Sequence, residues 1–75
     1  MPDLEQERAH LTSADQHIAE GERRVADQTR LVEHLTEQGH ETAKARDLLR
    51  LLDETLVNWR WHRQLILDTI ARHTP

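Results

Sequence analysis

The chain has no cysteine, phenylalanine or tyrosine, and only two glycines, two prolines and one methionine in 75 residues. Without cysteine there is no disulfide scaffold and no thiolate metal site, which fits a reducing compartment. Aromatic residues are reduced to Trp59 and Trp61, so there is little material for a β-sandwich or barrel core. No apolar run exceeds three residues, and Leu65-Ile66-Leu67 is one that reaches it, so nothing in the sequence is fit to span a bilayer. The opening stretch Met1-Pro2-Asp3-Leu4-Glu5-Gln6-Glu7 is acidic and lacks the basic and then apolar regions of a secretory signal. Also missing are a glycine-rich phosphate loop, zinc-type ligand spacing and a nucleophile in a recognisable setting, since Ser13 is the only serine. A non-enzymatic protein without a cofactor is the expectation.

What remains is rich in Ala, Leu, Glu, Gln and Arg, a composition biased to helix. Its organisation is a repeat. Leu4, Leu11, Ile18, Val25 and Val32 stand seven apart, and Gly39 falls on the next position. A sustained seven-residue apolar repeat marks a helix that packs along another helix. The intervening core positions of this first helix are Glu7, Ala14, Gly21, Gln28 and Leu35, of which only Leu35 is a large apolar residue.

The spacing predicts helix 1 over about 3–38, capped by Asp3 with Gln6 at the return position of a capping box. A later start at Thr12, with Asp15 three residues on, is the alternative, and it leaves 1–11 as a looser arm. Gly39 supplies the left-handed residue that ends a helix, His40-Glu41 connect, and Thr42 is the expected N-cap of helix 2, over about 42–73. So short a connection makes the helices antiparallel neighbours. The fold class is therefore all-α: one domain over 1–75, an antiparallel two-helix coiled-coil hairpin.

Helix 2 carries its own stripe of Ala45, Leu49, Leu52, Leu56, Trp59, Arg63, Ile66, Ile70 and His73, broadened by Leu48 and Leu67. Folding at the turn pairs residues whose numbers add to about 80. That sets Leu35 by Ala45, Val32 by Leu48 and Leu49, Val25 by Leu56, Ala14 by Ile66 and Leu11 by Ile70. It also sets Gly21 opposite Trp59, where the missing side chain makes room for an indole. Ile18 faces Arg63, whose ion-pair partner is then Asp15 or Glu22.

Helix 2 has more apolar surface than helix 1 can cover. On a wheel of about 100° per residue, Val57, Trp61 and Leu65 form a second stripe on nearly the opposite face, with Leu51 between the two. A hairpin cannot bury both faces. The expected outcome is self-association, most simply a homodimer forming a four-helix bundle with helix 2 central and an interface at Leu51, Val57, Trp61 and Leu65.

The charge distribution suits two helices of one hairpin that attract each other. Residues 1–38 hold nine acids against four arginines, a balance of −5, while residues 39–75 hold five acids against six bases, a balance of +1. Nucleic-acid binding needs a basic stripe, and Arg60, Arg63 and Arg72 are too few and too separated to form one. A basic membrane-surface helix is excluded on the same count. The competing chemical reading is metal binding. Glu7-Arg8-Ala9-His10 is a Glu-x-x-His, the spacing that puts a carboxylate and an imidazole on one face of a helix. Only one copy occurs, and no two of the six histidines stand four apart, so the histidines read as polar surface or turn residues.

The run His17-Ile18-Ala19-Glu20-Gly21-Glu22-Arg23-Arg24-Val25, then Gln28, Leu35, the turn Gly39-His40-Glu41-Thr42-Ala43, Leu48-Leu49 and His62-Arg63, resembles a group of short bacterial proteins of alphaproteobacterial type. They are helical hairpins of unknown function, and the likeness covers roughly residues 14–67. The resemblance implies a cytoplasmic bacterial hairpin and brings no site with it. Trp59-Arg60-Trp61 departs from that group's pattern.

Overall fold

The structure, a computed structural model, describes residues 3–75. Two long helices, α1 (Leu4–Glu37) and α2 (Ala43–His73), pack side by side into a rod of 58 × 14 × 13 Å. The protein is all-α, a helical hairpin. Helix α1 begins where the capping signal lies: the Asp3 side chain accepts hydrogen bonds from the backbone N–H groups of Glu5 and Gln6. Glu5 and Glu7 in the first turn complement the positive end of the helix dipole. The looser arm is not formed over the described part of 1–11, since the chain is helical from Leu4; Met1 and Pro2 lie outside the described residues.

The turn follows from Gly39, whose φ is +73°, a value that suits glycine and strains other residues. With the chain reversed there, the N–H of Gly39 donates to the Thr36 carbonyl and that of His40 to the Leu35 carbonyl, the paired bonds of a Schellman ending. At the start of α2 the N-cap falls on Thr42, as expected, but the capping group is another. The Thr42 side chain makes no cap bond. The Glu41 carboxylate takes that role, accepting from the N–H groups of Thr42 and Ala43 at 3.0 and 2.9 Å. A carboxylate is the better group there because it meets the helix dipole with a full charge. The Thr42 hydroxyl instead accepts from Nε of Arg46.

The seam in α1 matches the repeat. Leu4, Glu7, Leu11, Ala14, Ile18, Gly21, Val25, Gln28, Val32 and Leu35 are all shielded to some degree, and Ala14 and Val32 are buried. In α2 the buried residues are Leu56 and Ile66, with Ala45, Leu49, Leu52, Trp59, Arg63, Leu67 and Ile70 partly covered. Gln28, the polar residue of the seam, donates from Nε2 to the Ala45 carbonyl at 2.9 Å and so ties α1 to the first turn of α2. Five threonines inside the helices, Thr12, Thr29, Thr36, Thr55 and Thr69, donate to the carbonyl one turn back, which satisfies their hydroxyls without a tertiary partner.

The register differs from the sequence expectation. Gly21 faces Leu56, not Trp59: a Cβ at Gly21 would stand 3.2 Å from Leu56 Cδ1. Asp15 meets Arg63 and His17 meets Trp59, so facing numbers add to 76–78 rather than 80. A total of 80 would set the two helix ends flush. Instead the residues after Gly39 carry the chain back along α1, and α2 begins about 4.5 Å below the end of its neighbour at 1.5 Å per residue. Leu48, assigned to the core by the stripe, is 47% exposed on the edge of the hairpin. A two-helix seam covers only a narrow arc of each helix, and Leu48 lies just outside it.

Candidate interaction surface

The two edges of the hairpin differ in chemistry. One is ionic. Arg63 donates from Nε to the Asp15 carboxylate at 2.6 Å, and Arg60 lies 3.7 Å from Glu22. Of the two partners that the sequence offers Arg63, the structure selects Asp15; Glu22 is held by Arg60 one turn away. Arg63 thus keeps its place in the apolar stripe by laying its stem along the seam and its charge at the rim. These pairs are largely exposed, so they set register more than stability.

The other edge is aromatic. The imidazole of His17 stacks on the Trp59 indole with centroids 4.1 Å apart and planes 12° from parallel. His62 meets the same indole edge-on at 5.5 Å. Trp59 is therefore held between a histidine from each helix. Both histidines read as plain surface residues in the sequence. The signal that would have found the stack is the register itself, because pairing at 80 sets His17 beside Arg63.

The third surface is the outer face of α2. Trp61 is 66% exposed, Leu65 58%, Leu51 55% and Val57 50%. Val57, Trp61 and Leu65 follow one another at successive turns and span roughly 12 Å along the helix. A shallow open depression lies here between Val57, Arg60, Trp61 and Gln64. Trp59 and Trp61 stand two residues apart and so project to different sides, one into the hairpin edge and one outward. Among the described residues, α1 has no counterpart to this face; its one exposed large apolar residue is Leu31.

Glu7 and His10 come together as the spacing predicts, with Nδ1 of His10 3.8 Å from the Glu7 carboxylate. No third histidine, cysteine or carboxylate joins them: among the described residues no group of three or more such side chains could enclose a metal. Nor is any side-chain nitrogen or oxygen buried without a partner among those residues, so no concealed polar socket asks for a ligand. A further groove near the turn is lined by Val32, Leu49 and Arg46 with Thr29, Glu33, Thr36 and Glu37. No described helix is long and apolar enough to cross a membrane. Among the described residues, the outer face of α2 holds four of the six exposed large apolar side chains. No protein family, curated protein or solved structure matches the chain.

Proposed function

We propose that the protein is a non-enzymatic, self-associating helical hairpin that works through protein–protein contact, as an adaptor, an assembly factor or a small regulatory protein. The observation that carries this reading is the outer face of α2, where Leu51, Val57, Trp61 and Leu65 are each at least half exposed on the side turned away from α1. Contiguous apolar surface of this kind on a small helical rod marks a contact site. The simplest assembly is a homodimer of four helices with α2 central. Residence in the cytoplasm of a bacterium belongs to the same reading, supported by the lack of cysteine and by the run around Gly21 that resembles bacterial hairpins.

Size-exclusion chromatography with light scattering at low micromolar concentration tests it. The wild type is expected to run above monomer mass and Trp61→Glu at monomer mass. A wild-type monomer as stable as its Trp61→Glu variant removes the reading. A metal-binding bundle using Glu7 and His10 is the second reading, supported by their 3.8 Å approach. Elemental analysis of untagged protein, together with a thermal shift on adding Fe, Mn, Zn or Cu, decides it; neither bound metal nor a shift is the result that removes it.

A further inference from the structure

The outer face of α2 is arranged almost symmetrically about Asn58. Leu51 and Leu65 lie seven residues before and after it, two turns each way, so the three residues share one line down the face. Thr55 and Trp61 lie three residues to either side, and Glu54 and His62 four. All seven of these residues are exposed. Two antiparallel helices bring residues to the same level when their numbers add to a constant. A two-fold axis beside Asn58 therefore sets Leu51 of each copy against Leu65 of the other. The same axis sets Glu54 level with His62, and Asn58 against itself.

We propose that a second copy of this chain lies antiparallel on this face, on a two-fold axis at Asn58, so that four helices stand in a row in the order α1, α2, α2, α1. The inference rests on the self-association reading and gives it a geometry. An isologous contact needs a surface that is complementary to itself, and the spacing about Asn58 supplies that. Charge selects the orientation. A parallel pair would place Glu54 beside Glu54 and Arg50 beside Arg50, like charges at one level, whereas the antiparallel pair sets Glu54 level with His62 and Arg50 level with Ile66.

Charge also selects the row over a closed bundle. The residue 1–38 half carries −5 and the residue 39–75 half +1. With axes about 9 Å apart, a row separates the two acidic helices by about 27 Å. That is well beyond the screening length of about 8 Å at physiological salt. One like-charged level remains, Lys44 with Arg72, and it falls at the two ends of the face, where long side chains reach water. Asn58 facing its own copy can both donate and accept, and a polar residue on the axis between Leu51 and Leu65 fixes register.

Cysteine cross-linking tests the geometry cleanly, because the chain has no cysteine of its own. Each position used is exposed in the hairpin, so the hairpin fold is kept, and circular dichroism verifies it. Asn58→Cys is expected to run largely as a disulfide-linked dimer after mild oxidation. Leu65→Cys alone is expected not to link, since fourteen residues of level difference hold the two sulfurs about 21 Å apart. A mixture of Leu51→Cys and Leu65→Cys chains is expected to give a linked heterodimer. If light scattering shows a wild-type dimer but Asn58→Cys does not link, Leu65→Cys links to itself, or the mixture stays unlinked, this geometry is wrong and self-association stands. A wild-type monomer at micromolar concentration overturns both.

Discussion

Helix α1 turns one apolar edge to its neighbour, while α2 presents two on opposite sides. The inner face of α2 is organised by α1: Leu56 packs into the space left by Gly21, and Ile66 is buried. The outer face has comparable side chains, and they stay exposed. Helices of similar length and the same repeat thus differ in what they leave unfinished. A helix with a single apolar edge reports on folding; one with a second edge reports on association as well. The difference also explains why α1 can be acidic. A helix that meets a single neighbour has most of its circumference free for carboxylates.

Substitutions on the two faces of α2 should separate these roles. The largest effect is expected inside: Leu56→Ala removes a buried side chain and should cost about 2–5 kcal/mol. In a chain this small, thermal melts followed by circular dichroism should show that loss at every protein concentration. Trp61→Glu, on the outer face, should act differently. The wild-type melting temperature is expected to rise with protein concentration, as it does when association is linked to folding. In the variant that dependence should disappear. A concentration-independent wild type would erase the contrast between the faces.

A smaller effect tests the turn that brings the helices together. Gly39→Ala forces a side chain into the left-handed region and should cost about 1 kcal/mol, read as a lower melting temperature with association intact. The smallest concerns the inner face again. Gly21→Ala gains helix propensity of ~1 kcal/mol but crowds Leu56 at 3.2 Å. The two terms nearly cancel, so the melting temperature should move by only a few degrees. Gly21→Leu cannot be accommodated in that space and should be destabilising; if it were neutral, the close approach of Gly21 to Leu56 would be disproved.

The repeat from Leu4 to Val32 carried the shape of α1 in full, and Asp3 and Gly39 marked its ends, because caps and seven-residue spacing are local properties of the chain. The pairing across the hairpin was not local. It depends on how far the residues after Gly39 run back along α1, a path length that residue numbers do not encode. From that single offset came the misplacement of Gly21 against Trp59 and the unseen His17–Trp59 stack. Leu48 was misjudged for a related reason: a wheel gives a residue's direction but not the width of the arc its neighbour covers. The exposed stripe at Val57, Trp61 and Leu65 was readable because it needs only the angle between two faces of one helix. What lies on that stripe was not, because an apolar face is compatible with many partners and gains specificity from shape and charge placement.

Trp59 and Trp61 also make the protein its own optical gauge. Clasped by His17 and His62, the Trp59 indole sits where opening of the hairpin would change its emission. The Trp61 indole faces solvent, where docking would shift its emission to the blue. Trp61→Phe leaves a fluorophore that records closure of the two helices, and Trp59→Phe leaves one that records arrival of whatever covers α2. Two residues apart in sequence, they allow folding and assembly to be timed separately in one small chain without an added dye.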